Sequence, residues 1–301
     1  MSTDSLSSAV RSLRLPRSLT QHDRLPLVLT TAAALLGTSV VVPAAYRDYR
    51  TFRSYGGGGV PDNLLGWLYV RLVMQPLGRE MLSTDVYDRR VAAAEGHGKG
   101  DEGFLTEEQL SAVPRTDSRP VVGPHVSPQR QLTQIPVERV QEKFRASFSS
   151  FANRNYHLVK TNASLLEGNA DALFLAANLP ASAIATRMRR EIANLHDLSD
   201  HSVHVVLSPA DCTYSPSRVM YQPNQSCIGK RVIEAGWGQR HALSGLSKST
   251  FLSVFATSGC VPNLPPEYLL IYAPRNEAEI EVVMQIIAAG VKFMAGREDV
   301  R

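Results

Sequence analysis

The stretch REIANLHDLSDHSVHVVLS, residues 190–208, decides the fold. Two runs rich in β-forming residues, 190–196 and 202–208, flank a polar turn, and this arrangement predicts an antiparallel hairpin. The acidic residues of the turn, Asp197 and Asp200, suit local bonding to the backbone and are interpreted as turn formers. The stretch therefore supplies two strands of the predicted sheet.

The register of this hairpin separates its three histidines. Ile192, Asn194 and His196 are predicted to share one face of their strand, and His196 and His204 to converge across the pair. His201 falls in the turn and is predicted to be exposed. The opposite face of the first strand is predicted to carry Glu191, Ala193 and Leu195.

Helices before and after the strands complete the predicted domain. One helix begins near Pro136; a final helix begins at the cap Asn276 and ends at Gly296. Residues 171–177 and 268–272 are typical of further buried strands. The order helix, strands, helix predicts an α+β fold: a single compact domain with a mainly antiparallel sheet and flanking helices. The predicted buried helical faces are Val137, Val140, Phe144, Phe148 and Phe151, then Ile280, Val283, Ile287, Val291 and Met294.

An apolar segment precedes this domain. Residues 25–46 hold no charge, have arginines on both sides, and are long enough to cross a bilayer as a helix. We therefore predict a transmembrane anchor at 25–46 that contacts the lipid membrane. A cleaved signal peptide is the alternative, since residues 42–44 offer a cleavage site. The flanking positive charge is balanced and does not orient the segment.

Shifts in composition divide the rest of the chain. The apolar stretch at 64–78 contains Arg71, so it predicts either an interfacial helix or a buried helix. Residues 92–120 are polar and typical of a linker. The predicted organisation is an N-terminal tail (1–24), the anchor (25–46), a juxtamembrane segment (47–90), a linker (91–118), the compact domain (119–296) and a tail (297–301).

Charge and cysteine content exclude several classes of protein. The net charge is +4, from 32 basic and 28 acidic residues without a dense basic block, so no nucleic-acid partner is predicted. Cys212, Cys227 and Cys260 have no CxxC spacing, which argues against a zinc knuckle or a disulfide framework. A chain of 301 residues is long enough for one sizeable core.

Histidines are the first candidates for chemistry. His196, His204 and His241 suit a transition metal through their imidazoles, although their spacing matches no zinc signature such as HExxH. The alternative is acid–base chemistry, because a neutral imidazole can take a proton from an acidic enol. Both interpretations stay open at this point, beside a purely structural role.

Two further motifs offer contacts to a substrate. GWGQRH, residues 236–241, presents Trp237 and Arg240 as a wall for a planar anionic molecule, or as a packed turn. Arg275 lies at a strand-to-helix junction, where it can hold an oxyanion or pair with Glu277.

Several stretches together resemble the fungal luciferases. They are RREIANLHDLSDHSVHVVLSPAD, VIEAGWGQRHALSG and PPEYLLIYAPRNEAEIEVVMQIIAAGVKFM, with YRDYRTF and RPVVGPHVSPQRQLTQ upstream. The resemblance covers residues 25–296, and 190–241 is its most specific part. On these motifs the chain is identified as a member of the fungal luciferase family.

The resemblance implies a membrane-associated oxygenase. The luciferase of this family adds molecular oxygen to a 3-hydroxylated styrylpyrone, loses carbon dioxide and uses no recognised organic cofactor. For this chain it implies an enolic aromatic or pyrone-type small molecule as substrate and molecular oxygen as co-substrate. No cofactor is expected, with a transition metal left open. It also implies a single-pass position in the endoplasmic reticulum with the domain facing the cytosol.

Residue roles follow from the resemblance as a hypothesis. A histidine removes the enol proton, an arginine stabilises negative charge on the pyrone oxygens, and aromatic rings stack on the substrate and exclude water. The candidate bases are His196, His204 and His241. The candidate arginines are Arg240 and Arg275, and the candidate aromatic rings are those of Trp237 and Tyr272.

Asn194 departs from the family pattern, which usually reads His-x-His at this point. Asparagine forms hydrogen bonds but is neither a base near neutral pH nor a good ligand for borderline metals, so Asn194 is assigned to substrate binding. Residues 212–229 and 247–263 are extra loops relative to the luciferase. Two alternatives stay open: a metal-dependent enzyme that uses His196, His204 and His241, and a non-catalytic membrane-tethered binding protein of the same family.

Overall fold

The computed structural model describes most of the chain from residue 21 onward. The chain forms two compact units, residues 1–51 and 52–301, which are described one at a time. The predicted loop 212–229 and most of the loop 247–263 lie outside the described residues, as do the three cysteines. The described residues are 21–84, 86, 87, 103–115, 117–168, 170–209, 230–246 and 261–301.

Helix α1 (Gln21–Ser54) contains all the described residues of the first unit. Within the described chain, one helix is long and apolar enough to cross a membrane, and it is the part of α1 at Leu29–Ser54. Leu36 and Val40 on it are each 69% exposed. Exposed aliphatic surface of this length fits a hydrocarbon layer, and a signal sequence has the same length and composition.

A six-stranded sheet forms the centre of the second unit. Every neighbouring pair is antiparallel, in the order β1-β2-β3-β4-β6-β5. The predicted α+β fold with a mainly antiparallel sheet is therefore confirmed. The strands are β1 (Val159–Ala163), β2 (Asp171–Leu175), β3 (Glu191–Leu195), β4 (Val203–Val206), β5 (Gly238–Arg240) and β6 (Tyr268–Ile271).

Two long helices, α4 and α7, pack against each other, and α7 also crosses β3 and β4. The sheet therefore has one face covered by helices. The described helices of this unit are α2 (Leu64–Tyr69), α3 (Glu107–Ser111), α4 (Glu138–Arg154), α5 (Ala183–Arg187), α6 (Lys230–Glu234) and α7 (Glu277–Ala295). A π-helical turn (Val70–Met74) and a 3-10 turn (Gln75–Leu77) prolong α2.

The buried faces predicted for the two long helices are confirmed except at one residue. Every apolar residue predicted for the face of α7 is buried. Asn276 caps this helix by accepting the N–H of Glu279 at 3.0 Å, and Gly296 ends it with φ 61°. In α4 the predicted residues after position 137 are buried, whereas Val137 is 68% exposed. Val137 is the N-terminal cap, so the helical period does not yet apply to it.

Gly290 lets α7 lie directly on the sheet. A Cβ atom at this position would lie 2.6 Å from Val205 Cγ2 and 2.9 Å from the carbonyl oxygen of Val206. We expect Gly290→Val to lower the free energy of unfolding by at least about 1–3 kcal/mol, because the helix must move off β4. Urea unfolding measures this change. Glu281→Val, at an exposed position of the same helix, is the control, and equal stabilities for the two variants would contradict the prediction.

The apolar segment around α2 has two faces. Val70, Met74 and Leu77 are buried in the core, as the buried-helix alternative predicts. Leu65 and Leu72 are 74% and 71% exposed, which is the surface that an interfacial helix presents to lipid. The segment therefore combines features of both predicted alternatives.

Residues 103–115, part of the predicted linker, belong to the second unit and pack into its core. Leu105 and Leu110 are buried in its core. A capping box begins α3, since Thr106 and Gln109 each accept the backbone N–H of the other. The compact unit spans residues 52–301 and contains the predicted domain at 119–296. Leu105 and Leu110 therefore attach this otherwise polar segment to the core.

Candidate functional site

The hairpin brings two of the predicted histidines together. Strands β3 and β4 pair with Asn194 opposite His204, and His196 follows β3 directly. The rings of His196 and His204 lie 4.9 Å apart, edge to face. The predicted convergence of these side chains is confirmed.

A β-bulge changes the faces predicted for the start of β3. Leu173 pairs with Ala193 and Phe174 pairs with Glu191, so Ile192 is an extra residue in the ladder. Ile192 lies against α7, whereas the Glu191 carboxylate accepts a hydrogen bond from Asn194 Nδ2 at 2.9 Å. The prediction was therefore wrong for Ile192 and Glu191, because strict alternation does not survive a bulge.

His196 is held by the turn that follows it. Its Nδ1 lies 3.1 Å from Asp200 Oδ1 and 2.9 Å from Ser202 Oγ. Burial opposes ionisation of Asp200, but His196 and Arg130 outweigh burial and lower the pKa of that carboxyl. Because Asp200 stays ionised, it favours a proton on Nδ1 of His196 and leaves the lone pair on Nε2.

A buried ion pair lies on the other side of His196. Arg130 Nη2 donates to Glu167 Oε2 at 2.6 Å, and both side chains are less than a tenth exposed. Arg130 also donates to the carbonyl of Gly57, and its Nη1 lies 3.3 Å from His196 Nε2. Burial disfavours the charged carboxylate, but Arg130 and then His196 outweigh it and lower the pKa of Glu167. A fixed cation and a fixed anion therefore flank Nε2 of His196, and the cation lies within hydrogen-bond distance of it.

Gly58 permits this ion pair to form. A Cβ atom at position 58 would lie 2.5 Å from Glu167 Oε2 and closer still to Arg130. The run Gly56–Gly59 therefore serves the site as a close backbone wall, a role that the sequence analysis did not assign to it.

His204 lies deeper, fully buried behind Glu167. Its Nδ1 is 3.3 Å from the carbonyl oxygen of Leu269, and its ring stacks on Tyr268 at 4.8 Å. Its Nε2 has no hydrogen-bond partner among the described residues and lies 4.0 Å from Glu167 Oε1. Burial and the nearby positive charges lower the pKa of His204 well below its ordinary value. The ring is therefore neutral near pH 7, with a free lone pair.

His241 is the third histidine of the cluster, and its two ring nitrogens have the reverse roles of those in His204. Its ring lies 5.3 Å from that of His204, and its Nδ1 accepts the backbone N–H of Leu243 at 3.1 Å. Burial lowers the pKa of His241 to about 4, so the ring is neutral. In the neutral ring the proton then sits on Nε2, so that atom of His241 is a donor and offers no lone pair.

Asn194 lies in the same buried layer. Its Nδ2 donates to Glu191 Oε1 and, at 3.0 Å, to Tyr268 Oη, and burial raises the pKa of Tyr268 well above its ordinary value. Asn194 thus positions Tyr268, the ring on which His204 stacks.

The predicted aromatic wall lies in a different cluster. Trp237 is fully buried, donates its Nε1–H to the carbonyl of Leu110 at 3.0 Å, and carries the guanidinium of Arg115 4.6 Å above its ring. Tyr272 donates to Gln239 Oε1 at 2.9 Å. The contacts of Trp237 and Tyr272 are therefore with protein groups other than the three histidines.

The two predicted arginines are also engaged elsewhere. Arg275 binds Glu279 at 2.6 Å and Asp117 at 2.9 Å, and not Glu277. Arg240 Nη2 donates to the carbonyl of Ser244, and its guanidinium lies 5.8 Å from the ring of Tyr87. Among the described residues, the arginine beside the histidines is Arg130.

His201 was wrongly predicted to be exposed. It is 2% exposed and adopts φ 59°, and its Nε2 lies 3.1 Å from Arg145 Nη1. The left-handed backbone turns the side chain inward at the end of the turn.

Sequence reasoning missed Arg130, Glu167 and Asp200 as site residues. Arg130 lies in the stretch RPVVGPHVSPQRQLTQ, whose resemblance to the luciferases was the available signal. Asp200 carried a signal in its spacing of four residues from His196, which was interpreted as turn chemistry. Glu167 lies in a short loop between β1 and β2, where no periodic pattern exists.

An open cleft leads from the surface to Arg130, Glu167 and His196. Its cavity volume is about 80 Å³, which is smaller than the roughly 300–1,000 Å³ of typical small-ligand sites, so a ligand of that size requires the cleft to widen. Tyr55, Gly57 and Leu198 also line it. A small molecule in this cleft would lie next to Arg130, Glu167 and His196 at the inner wall.

The side chains that offer a set of metal ligands are Glu167, His196 and His204 within the described chain. One donor atom from each lies within 4.8 Å of the others. This set contains Glu167 in place of His241, which the alternative from sequence named as the third ligand. Nε2 of His241 carries a proton.

The buried histidines predict a loss of stability at mildly acidic pH. An unfolded histidine takes up a proton near pH 6.5, whereas the folded pKa of His241 is about 4, so the unfolded state binds more protons between these values. Stability is therefore complete above pH 6.5 and falls as the pH decreases toward 4; a shift of this size corresponds to about 3 kcal/mol. Urea unfolding at pH 7.5, 6 and 5 with a chelator present measures it. His241→Asn should flatten the profile, and an equally steep profile in that variant would contradict the assignment.

Similarity to known proteins extends over most of the chain. The model of the luciferase domain matches residues 189–290. A luciferase of Armillaria mellea is 30% identical over 281 residues, which cover 89% of this chain and 88% of that protein. A luciferase of Neonothopanus nambi is 28% identical over 280 residues, which cover 89% of this chain and 87% of that protein. No solved structure matches the chain. The matched region 189–290 contains all three predicted histidines.

Proposed function

Because this chain belongs to the family of the fungal luciferases, we propose that it is a membrane-anchored oxygenase that combines an enolic pyrone-type or aromatic small molecule with molecular oxygen. The observation that carries the proposal is the inner wall of the cleft, where His196 Nε2 and the Arg130 guanidinium lie 3.3 Å apart. A base beside a fixed cation is what removal of an enol proton requires.

His196 is the proton acceptor in this proposal. His196 lines the cleft with a fully buried side chain, and Asp200 stabilises the imidazolium that forms when the enol proton arrives. The same arrangement of a carboxylate behind a histidine fixes the ring orientation before the substrate binds. Proton transfer from the enol oxygen to Nε2 leaves an enolate.

Arg130 holds the negative charge of that enolate. Its guanidinium is anchored by Glu167 and by the carbonyl of Gly57, so it does not have to reorganise when the charge develops. The electron-rich enolate is then the species that reacts with molecular oxygen. Arg130 thus takes the role that the sequence assigned to Arg240 or Arg275.

The buried layer behind the cleft supports this chemistry by excluding water. His204, His241 and Tyr268 are all buried, and their rings contact one another at 4.8–5.7 Å. A peroxide formed from the enolate would have no bulk water on this side.

Helix α1 is the proposed membrane anchor. Its exposed leucines and valines favour a hydrocarbon layer, and we assign the second unit to the cytosolic side of the endoplasmic reticulum. Asn162 provides the test, because it begins an Asn-Ala-Ser sequon and is exposed on β1. A glycosidase-sensitive mass shift that requires Asn162 would place the second unit in the lumen and refute the assignment.

The activity is tested with full-length protein in lipid vesicles. A 3-hydroxylated styrylpyrone is supplied in air, and oxygen uptake, carbon dioxide, product mass and photons are recorded together. We expect oxygen uptake with an oxygenated product. No turnover beside an active luciferase would favour the non-catalytic alternative, a membrane-tethered binding protein. Asn194→His tests decay at that position, since restored turnover would attribute the inactivity to Asn194.

A further inference from the structure

Three buried donor atoms converge behind the cleft. Glu167 Oε2 lies 3.9 Å from His196 Nε2, and Glu167 Oε1 lies 4.0 Å from His204 Nε2. The three side chains come from the loop after β1, the end of β3 and the middle of β4, so the fold and not a local motif brings them together. We propose that Glu167, His196 and His204 bind one divalent transition metal ion.

The spacing of the donors suits an ion after a small contraction. Bonds from a transition metal to imidazole nitrogen and carboxylate oxygen are about 2.0–2.2 Å long. Neighbouring ligand atoms around such an ion lie about 3–3.5 Å apart, whereas these lie within 4.8 Å of one another. Movement of each donor by roughly 1 Å or less therefore completes the site, which rotation of the Glu167 carboxylate and the two rings can supply.

Each proposed ligand is already held from behind. His196 Nδ1 faces Asp200 at 3.1 Å, and His204 Nδ1 faces the carbonyl oxygen of Leu269 at 3.3 Å. Ligating histidines usually donate their other ring N–H to a carboxylate or a backbone carbonyl, and ligating carboxylates are themselves hydrogen-bonded. Arg130 supplies that last bond to Glu167. The Nε2 atom of His204 is consequently left without a partner among the described residues, and that of His196 lies 3.3 Å from Arg130 Nη1, which the ion would displace.

The unpartnered nitrogen of His204 is independent support. Its Nε2 is completely buried and has no hydrogen-bond partner among the described residues, an arrangement that is costly in a protein interior. A metal ion would satisfy this lone pair. The net charge of the site also favours a cation. Glu167 and Asp200 carry two negative charges, and the guanidinium of Arg130 carries one positive charge.

Two imidazoles and one carboxylate define the class of ion. This donor set suits zinc, iron, cobalt, nickel or copper, and it disfavours calcium and magnesium, which prefer oxygen ligands. Two histidines and one carboxylate with open positions match the sites of non-haem ferrous oxygenases. The choice of ferrous iron as the native ion rests on the proposed function, whereas binding of a divalent ion does not. A ligated Nε2 has no lone pair for the enol proton, so the base role proposed for His196 belongs to the metal-free protein.

His241 provides a matched control. It lies in the same buried cluster, 5.3 Å from His204 ring to ring, but its Nδ1 accepts the N–H of Leu243 and its Nε2 carries the proton. The proposal therefore excludes His241 from the ligands, in contrast to the set His196, His204 and His241 considered from sequence.

The experiment uses Co²⁺ as the probe with full-length, chelator-treated protein and no substrate. We expect one equivalent of Co²⁺ to bind and to give the absorption bands of a nitrogen- and oxygen-ligated ion. His204→Ala and Glu167→Gln should each lose at least about 100-fold in affinity, and Asp200→Asn about 10–100-fold. His241→Ala should bind Co²⁺ like the parent.

Two results would overturn the proposal. Substoichiometric Co²⁺ uptake by folded parent protein would exclude the site regardless of how any variant folds. Unchanged affinity in both His204→Ala and Glu167→Gln, with circular dichroism like that of the parent, would place the ion elsewhere. Because binding is read without substrate, failure of the oxygenase assay leaves this test intact, and the reverse also holds.

Discussion

Replacing Arg130 by alanine is expected to lower the free energy of unfolding by about 3–5 kcal/mol. The guanidinium is 4% exposed and pairs with Glu167, which is 8% exposed. Removal of one partner leaves a buried carboxylate without a counter-charge, and desolvation of that charge dominates the cost. Urea unfolding at pH 7.5 measures the change. The effect exceeds that of any surface ion pair, because solvent no longer screens the remaining charge.

A matched ion pair on the surface provides the control. Arg139 binds Glu277 at 2.6 Å but is 83% exposed, so Arg139→Ala should cost less than about 1 kcal/mol. The double variant Arg130→Leu with Glu167→Leu should recover most of the lost stability, since neither charge then remains buried. Equal costs for Arg130→Ala and Arg139→Ala would show that the buried pair is not held as described.

His196→Ala is expected to lower kcat/KM for the enolic substrate by about 10²–10⁴-fold. His196 is the histidine that lines the cleft, and its Nε2 is the base of the proposed reaction. Oxygen uptake per folded protein in lipid vesicles measures the loss. Asp200→Asn should give a smaller loss in kcat, because an amide still contacts Nδ1 but no longer stabilises the imidazolium.

His157→Ala is the control for this prediction. That side chain is one-third exposed and lies 3.6 Å from Asp299, outside the cleft. Its removal should leave kcat/KM within a few-fold of the parent value. A similarly small effect of His196→Ala would remove His196 from the reaction and return the base to the other histidines.

Local patterns predicted the elements that are built from sequential contacts. The hairpin of β3 and β4 follows from alternation and a polar turn, and α7 follows from its cap, its buried stripe and its closing glycine. These features each depend on residues within a few positions of one another. His196 and His204 converge for the same reason.

The charged part of the site could not be predicted in this way. Arg130 and Glu167 lie 37 residues apart, and Arg130 lies 66 residues from His196. Both charged residues are in loops, where no period marks a side chain as buried. A buried ion pair becomes visible only when the fold supplies both partners, and a lone Glu or Arg in sequence is typical of the surface.

The aromatic residues illustrate a different limit of local patterns. A substrate wall was predicted from Trp237, Tyr272 and Arg275. The guanidinium of Arg115 lies over both aromatic rings, and Glu279 pairs with Arg275. Arg115 comes from the segment 103–115, whose polar composition predicted a linker. A residue type alone does not reveal whether a ligand or another part of the chain satisfies it.

The burial of the Trp237 indole has a practical consequence. The indole is sealed by the guanidinium of Arg115 and by the carbonyl of Leu110, both from residues 103–115. If that segment lifts away, the ring meets water and its fluorescence shifts to longer wavelength. The chain contains two tryptophans, so exchange of Trp67 for phenylalanine isolates the signal. The fluorescence of Trp237 therefore reports whether residues 103–115 are packed against the indole ring.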